Sequence, residues 1–243
     1  MEKPAESPTP TTFKYLDILT VVFVLVLVLS NVASSAKIID WGISLGTLPL
    51  SFDAGTVLFP ISYIIGDVLT EVYGFKRSRR IIWIGFGMLA FSALVFWLVQ
   101  VLPGEATWQV SVGQYSYDQI LGSMSSGAIV VASLTGYLAG SFSNAIMMAA
   151  MKVLTKGKLL WTRTIGSSIV GQAFDTFAFI LVASWLGVFP LSLFWSLTIT
   201  NYIFKLIVEV VVTPITYWVV NGLKRSEGVD VFDDGTNLSP FKF

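Results

Sequence analysis

The stretch from Phe59 to Arg80 reads FPISYIIGDVLTEVYGFKRSRR and decides the fold. Asp67 and Glu71 lie four positions apart in its apolar part, so a helix places both carboxylates on one face. Tyr63 lies one turn earlier on that face. An ionisable side chain at the centre of a bilayer costs roughly 2.5–3.5 kcal/mol on insertion scales. The pair therefore indicates a membrane helix with a functional site in its wall.

The composition of the whole chain is that of a membrane protein. Of its 243 residues, 54% are hydrophobic and 12% are charged, and the mean hydropathy is +0.76. The chain has no Cys and no His, which excludes disulfides, thiolate nucleophiles, imidazole acid–base chemistry and the usual zinc sites. We therefore expect no metal, no cofactor and no catalytic residues. A group that exchanges a proton must then be a carboxylate, a Lys or a Tyr.

The apolar runs predict an all-α, polytopic membrane protein with six transmembrane helices, each of roughly 20 residues apart from a short second span. We expect a disordered cytoplasmic tail over 1–14, a six-helix transmembrane domain over 15–222 and a cytoplasmic tail over 223–243. The stretches 37–53 and 103–118 are predicted to be loops. The six predicted spans are Leu16–Val32, Pro60–Tyr73, Ile81–Leu102, Ile120–Ala150, Ile165–Val188 and Leu193–Val220.

The second span is unusual because Pro60 falls at its start. From there to Tyr73 a helix has about 14 residues and measures about 21 Å, which is shorter than a bilayer core. The preceding residues, 51–59, must enter the membrane either as helix before a kink or as non-helical chain sheltered by protein. Short or interrupted spans are typical of transporter binding sites, although a plain proline kink explains the pattern about equally well.

Positive charges predict the orientation of the chain. With both termini in the cytoplasm, thirteen of the fifteen Lys and Arg residues lie on the cytoplasmic side, as the positive-inside rule requires. Two basic stretches, at 76–80 and 152–163, are predicted to be cytoplasmic loops. The loop at 103–118 contains Glu105 and Asp118 but no Lys or Arg, so we expect it on the opposite side.

Polar residues at helical spacing also mark other spans. The fifth span has Ser168, Gln172 and Asp175, and the sixth has Asn201, Lys205 and Glu209. Asn31 and Asn144 add amides in the first and fourth spans. Such residues turn toward one another rather than toward lipid. In the fourth span, the spacing of Gly136 and Gly140 predicts close approach to a neighbouring helix.

Several of these residues also have a purely structural explanation. Asn144 is explained by an interhelical hydrogen bond, worth about 0.6 kcal/mol on average in membranes. Lys205 and Glu209 are explained by an ion pair within one helix. Packing explains Asp67 and Asp175 least well, because they lie nearest to mid-span. The excess of carboxylates over Lys205 requires either a bound proton or a ligand that is cationic or rich in hydrogen-bond donors.

Two motifs are similar to those of the queuosine precursor transporter family of small six-helix membrane proteins. They read Phe59-Pro60-x-Ser62-Tyr63-x-x-Gly66-Asp67-Val68-x-Thr70-Glu71-Val72-Tyr73-Gly74 and Leu160-Trp161-Thr162-Arg163, the latter leading into Gly171-Gln172-x-x-Asp175-x-Phe177-x-Phe179. Lys205 and Thr213-Pro214 match as well, and the resemblance runs from about Asn31 to the tail. It implies uptake of a 7-deazaguanine base, the precursor or salvaged form of the tRNA nucleoside queuosine.

The residue types suit such a ligand. A guanine-like edge offers adjacent N–H donors, which a carboxylate accepts in pairs. Gln172 or Asn144 can serve the carbonyl, and Tyr63, Phe59, Phe179 or Trp185 can stack on the ring, at about 1–3 kcal/mol per stacked base. The predicted substrate-binding residues are Tyr63, Asp67, Glu71, Asn144, Gln172, Asp175, Phe179 and Lys205.

The predicted function is therefore import of a base such as 7-cyano-7-deazaguanine, 7-aminomethyl-7-deazaguanine or queuine, either proton-coupled or facilitative. One alternative is a substrate-binding subunit of a larger energised complex, since the chain has no Walker-type loop of its own. Another is an intramembrane enzyme, but Asp67 and Asp175 lack a Gly-x-Gly-Asp context and no Ser/His set exists. We therefore predict that the protein is not an enzyme. A purely structural membrane subunit would not need charged stripes.

The expected partners are a small purine-like base and the lipid bilayer. The net charge of zero gives no indication of nucleic-acid binding. A homodimer and a monomer are both compatible with the sequence. The expected location is the cell membrane, which is the inner membrane in a Gram-negative bacterium.

Overall fold

The computed structural model describes residues 12–45 and 48–242, most of which are helical. Eight α-helices occupy these residues: α1 (Leu16–Ala36), α2 (Phe59–Tyr73), α3 (Phe75–Val101), α4 (Ala106–Ser111), α5 (Gly113–Ser125), α6 (Gly127–Leu154), α7 (Leu160–Trp185) and α8 (Phe194–Glu227). Strands β1 (Ile38–Leu45) and β2 (Leu48–Asp53) form an antiparallel hairpin after α1. Short 3₁₀ helices cover Ala54–Val57 and Leu191–Leu193.

Most of the helical residues belong to segments that fit a bilayer. Within the described part of the chain, five segments are long and apolar enough to cross a membrane: Leu16–Ala36, Phe75–Val101, Gly113–Leu154, Leu160–Trp185 and Leu191–Glu227. The sixth element of the bundle is α2, whose 15 residues span about 22 Å. This arrangement confirms the predicted helical membrane architecture, including the short second span.

The short helix α2 lies at the centre of the bundle. It packs against α1, α3, α6 and α8. Its apolar residues Val68, Leu69 and Val72 are at most 1% exposed and belong to the main hydrophobic core. A helix enclosed in this way holds its polar side chains at fixed positions among the other helices, away from lipid.

The chain before α2 differs from the prediction. Residues 37–53 were expected to form a loop, whereas β1 and β2 pair from Ile38 with Asp53 to Leu45 with Leu48. The segment is rich in Ile and Leu, which tolerate an extended backbone, and pairing satisfies its N–H and C=O groups. Of the two routes considered for residues 51–59, the non-helical one is therefore correct up to the 3₁₀ turn at Ala54–Val57.

The fourth span was wrongly predicted as one helix over 120–150. It is divided at Ser126, whose ψ of 110° is extended, in a Ser- and Gly-rich stretch that favours helix weakly. The predicted loop at 103–118 also contains α4 and the start of α5. The carboxylate of Glu105 accepts a hydrogen bond from the backbone N–H of Trp108 at 2.9 Å and so caps α4.

The first basic stretch is helix rather than loop. Gly74 alone joins α2 to α3, with φ of +83°, a conformation that glycine adopts without strain. A Cβ atom at this position would also lie only 2.7 Å from the side chain of Val231. The carboxylate of Asp233 accepts from the backbone N–H of Phe75 at 2.9 Å. It thereby caps α3, so the basic residues of 76–80 lie in the first turns of that helix.

The residues after α8 pack against the bundle instead of leaving it. Helix α8 continues to Glu227, beyond the predicted domain boundary. Residues 229–242 then cross the end of the bundle at which the two basic stretches meet, which we call the basic end. There Arg79 donates to the backbone carbonyls of Asn237 and Ser239, at 3.2 and 2.8 Å. Residues 1–11 of the predicted N-terminal tail lie outside the described residues.

Candidate functional site

A cavity of about 530 Å³ lies inside the bundle, lined by residues of α1 to α3 and α5 to α8. Small-molecule sites usually measure about 300–1,000 Å³. Seven of the eight residues predicted to bind substrate line it: Tyr63, Asp67, Asn144, Gln172, Asp175, Phe179 and Lys205. The eighth, Glu71, is not among its lining residues. Four helices thus bring most of the sequence-predicted residues to one space.

Asp67 and Asn144 form the polar centre of the cavity wall. Asp67 is 1% exposed, and its Oδ1 accepts a hydrogen bond from Nδ2 of Asn144 at 2.9 Å. Its other oxygen, Oδ2, and the carbonyl oxygen of Asn144 are buried and have no hydrogen-bond partner within the described residues. Buried polar atoms are normally paired. Asp67 and Asn144, both lining residues, therefore hold two acceptor oxygens that a ligand with adjacent N–H groups would satisfy.

Glycines bring α6 and α7 together at the level of these side chains. A Cβ atom on Gly140 would lie 2.5 Å from Cβ of Asp175, and one on Gly171 would lie 2.7 Å from Cβ of Asn144. One on Gly136 would lie 3.0 Å from the carbonyl oxygen of Asp175. Larger residues would separate the helices, so the glycines set the positions of Asn144 and Asp175. The close approach predicted from the Gly136–Gly140 spacing is confirmed.

Tyr63 and Gln172 extend the polar wall along α2 and α7. The Tyr63 hydroxyl donates to Oε1 of Gln172 at 3.1 Å. This bond uses the acceptor of the Gln172 carboxamide, so its NH₂ group is the part that suits a ligand carbonyl. Asn144 has the opposite arrangement, because its NH₂ group is used by Asp67. Of the two residues predicted to serve a carbonyl, Gln172 therefore has the suitable geometry.

Among the candidate stacking residues, Tyr63 and Phe179 line the cavity. Phe179 contacts Phe189 edge to face, with ring centroids 6.2 Å apart, and Phe189 is also a lining residue. Trp185 is 81% exposed and lies outside the cavity lining. The side chain of Phe59 lies outside the described residues. Tyr63 and Phe179 are thus the candidates that the geometry supports.

Lys205 of α8 pairs with Asp175 of α7. The distance from Nζ to Oδ2 is 2.5 Å, and the side chains are 22% and 26% exposed. Lys205 therefore neutralises a carboxylate on a neighbouring helix rather than Glu209 on its own helix. The pair ties α7 to α8 at the cavity wall.

We expect Lys205→Met to lower the yield of folded protein, because it leaves Asp175 charged and unpaired at the cavity wall. Breaking a buried pair by removing one partner costs about 3–5 kcal/mol; partial exposure of this pair reduces that figure. The double variant Lys205→Met, Asp175→Asn removes both charges and should recover part of the yield. Size-exclusion chromatography of detergent-solubilised protein measures the yield of folded protein. Equal yields from the single and double variants would contradict the pairing.

Glu71 lies at the basic end and is fully buried. Its two carboxylate oxygens accept from Nε and Nη2 of Arg163, at 3.1 and 2.7 Å, and Oε1 also accepts from Lys224 at 2.6 Å. Glu71 thus lies one helical turn from the cavity residue Asp67, but both of its oxygens are hydrogen-bonded to cations of the protein. This geometry favours a structural role for Glu71 over the predicted contact with substrate.

Lys152 and Asp230 join Glu71, Arg163 and Lys224 in one charged cluster. This cluster was not predicted from the sequence. Lys152, which is 1% exposed, lies 3.7 Å from Glu71 and 2.5 Å from Asp230, and it also donates to the Val231 carbonyl at 2.7 Å. Burial opposes ionisation of Asp230, but hydrogen bonds from Lys152 and Lys224 hold its pKa below the usual value. The stability that Asp230 contributes is therefore present above the unfolded-state pKa and lost as pH falls through the lowered one.

Most hydroxyl groups in the cavity were also missed. Lining residues of this kind include Ser30, Ser34, Ser62, Ser123, Ser133 and Thr176. On α1 the sequence contains a pattern that could have identified them, because Ser30 and Ser34 are one turn apart and flank Asn31, whose amide was noted from the sequence. Isolated serines in other apolar helices carry no such pattern.

Comparison with known proteins agrees with this architecture. Residues 53–219 match the model of a family described as "Putative vitamin uptake transporter". A Bacillus subtilis (strain 168) protein named "Probable queuosine precursor transporter" is 29% identical over 169 residues, which are 69% of this chain and 71% of that protein. A Haemophilus influenzae protein of the same name is 25% identical over 68% of this chain and 67% of its own length.

An Escherichia coli (strain K12) protein named "Queuosine precursor transporter" is 22% identical over 65% of this chain and 67% of its own length. No solved structure gives a significant match. The region matched by the family model runs from the end of β2 into α8 and so contains the cavity residues of α2, α6 and α7. The chain is a multi-pass membrane protein that belongs to the transporter family described as "Putative vitamin uptake transporter".

Proposed function

We propose that this protein imports a queuosine precursor, a 7-deazaguanine-type base such as 7-cyano-7-deazaguanine, 7-aminomethyl-7-deazaguanine or queuine. The observation that carries the proposal is the pair of unpaired acceptors on Asp67 and Asn144 in the cavity wall. The names of the three relatives support the same class of ligand.

The donor edge of a guanine-like base fits this wall. Such a base carries a ring N–H beside an exocyclic NH₂ group, with a carbonyl oxygen on the other side of the ring N–H. The two donors pair with Oδ2 of Asp67 and the carbonyl oxygen of Asn144, and the NH₂ group of Gln172 donates to the base carbonyl. Adenine-like bases carry an NH₂ donor in place of the carbonyl and an acceptor in place of the ring N–H, so the site discriminates against them.

The apolar part of the base is held by aromatic side chains. Tyr63 and Phe179 lie on α2 and α7 and line the cavity with Phe23 and Phe189. Stacking on one aromatic ring contributes about 1–3 kcal/mol and tolerates changes at the 7-position. Stacking therefore suits a transporter that accepts several 7-substituted precursors.

We place the basic end in the cytoplasm, together with both termini. Support comes from the thirteen of fifteen Lys and Arg residues that this orientation puts inside. The lipid bilayer surrounds the long apolar helices, and in a Gram-negative bacterium it is the inner membrane.

Uptake of radiolabelled 7-cyano-7-deazaguanine into liposomes that contain the purified protein tests this proposal. We expect uptake that saturates, exceeds that of protein-free liposomes and is reduced by excess unlabelled base but not by excess adenine. Binding without uptake would instead identify a substrate-binding subunit of a larger complex. Absence of both binding and uptake by folded protein would overturn the proposal.

A further inference from the structure

Glu209 is a buried carboxyl group that the binding site does not use. It lies on α8, one turn after Lys205, and is 0% exposed. Both of its carboxyl oxygens lack a hydrogen-bond partner in the described part of the chain, although the Ser168 hydroxyl of α7 lies beside it. It is absent from the cavity lining. Glu209 therefore sits behind the cavity wall, within the membrane-spanning part of the bundle.

Lys205, which lies one turn before Glu209 on α8, is already bound to Asp175. The titratable groups of α2 that interact electrostatically with Glu209 are Asp67 and Tyr63. Neither is a cation. A carboxylate without a counter-ion is strongly disfavoured away from water, so these surroundings favour the neutral form of Glu209.

Asp67 and Glu209 lie on α2 and α8, which pack against each other, and the two carboxyl groups are within electrostatic range. Two carboxyl groups that share a site of low polarity do not both ionise. The proposed ligand edge donates two hydrogen bonds to the Asp67 side, which requires Asp67 to be an acceptor and therefore ionised. The proton of the pair must then be on Glu209 while the base is bound.

We propose that Glu209 carries one proton inward with each imported base, so that the proton gradient drives accumulation. The inference rests on the proposed function. The proton reaches Glu209 from cavity water by way of Asp67, stays on Glu209 while the base occupies Asp67, and is released to cytoplasmic water after the base has left. One neutral base and one proton cross the membrane together in each cycle.

Proteoliposomes with an internal pH dye test this directly. With the membrane potential held at zero by K⁺ and valinomycin, an outside pH one unit below the inside should drive about tenfold accumulation of labelled 7-cyano-7-deazaguanine. Addition of the base should also acidify the interior by one proton per base. Glu209→Gln should retain exchange of labelled for unlabelled base but accumulate none above equilibrium. Asp234→Asn, which removes an exposed carboxylate of the C-terminal segment, is the matched control.

The outcomes separate the two proposals. Wild-type protein that exchanges the base but neither responds to the gradient nor moves protons would overturn the role of Glu209 while leaving base import intact. Gradient-driven accumulation by Glu209→Gln would do the same. Failure of wild-type exchange would instead contradict the proposed function. If Glu209→Gln does not fold, the wild-type proton count and the variant Glu209→Asp, which keeps an ionisable group and should retain gradient dependence, decide the question.

Discussion

Glu71→Gln should lower the free energy of unfolding by about 3–5 kcal/mol, because the change leaves buried cations without their shared carboxylate. Glu71 accepts two hydrogen bonds from Arg163 and one from Lys224, and it lies 3.7 Å from Lys152. Arg163 is fully buried, so water does not replace the lost partner. Glutamine has nearly the same volume, which makes charge the main difference.

Thermal unfolding and SDS titration of the purified protein measure this effect. Asp234→Asn is the matched control, because it also removes a carboxylate near the basic end but from an exposed position; we expect less than about 1 kcal/mol from it. The double variant Glu71→Gln, Arg163→Met removes the buried guanidinium as well and should be more stable than Glu71→Gln alone. Wild-type stability of Glu71→Gln would show that the cluster contributes nothing to folding.

The sequence predicted the helical elements well because a bilayer allows few alternatives. An apolar run of roughly 20 residues in lipid must be helical, since its backbone groups find no other partners. Even the short α2 was predicted to within one residue at its start, from Pro60. Outside the long apolar runs this restriction is weaker. Strands β1 and β2 and the break at Ser126 were missed for that reason.

The candidate site shows the same limit. Helical spacing identified the polar residues of α2, α6, α7 and α8, and seven of the eight predicted residues line one cavity. Spacing does not give the depth of a residue along the helix relative to its neighbours. Glu71 lies only one turn beyond Asp67, yet at that depth it meets Arg163 and Lys224 instead of the cavity.

The ordered C-terminal segment had no signal in the sequence. It is polar, and its contacts with the bundle are made largely by single side chains and backbone groups. Examples are Asp233 with the backbone N–H of Phe75, and Arg79 with the carbonyl of Ser239. Such contacts link positions about 160 residues apart and have no periodicity, so only the folded arrangement reveals them.

We expect Asp67→Asn to weaken binding of 7-cyano-7-deazaguanine roughly 10- to 150-fold. The substitution keeps the volume but can replace the unpaired acceptor Oδ2 with an NH₂ group, which would face the donors of the base. Loss of a hydrogen bond to a charged group is worth about 1.5–3 kcal/mol, which corresponds to that range in affinity. Asp67 is a cleaner test than Asp175, because Asp175→Asn would also leave Lys205 without its partner.

Equilibrium binding of labelled base to folded protein in detergent measures the effect. Asp118→Asn makes the same chemical change at a residue outside the cavity lining and should keep wild-type affinity. An analogue of the base that lacks the exocyclic NH₂ group gives a second comparison. Wild-type protein should bind it more weakly than the full base, whereas Asp67→Asn should discriminate less between the two, because the pair of acceptors that receives the donor edge is already incomplete.

A role for Asp67 in packing alone leads to the opposite expectation. The neutral isostere would then be tolerated, and removal of a buried charge from the centre of the bundle would stabilise the protein. The free energy of unfolding of Asp67→Asn without base should therefore be measured together with its affinity for the base. Increased stability together with weakened binding is the combination expected of a residue kept for its ligand. Wild-type affinity in folded Asp67→Asn would end the binding role proposed for this carboxylate.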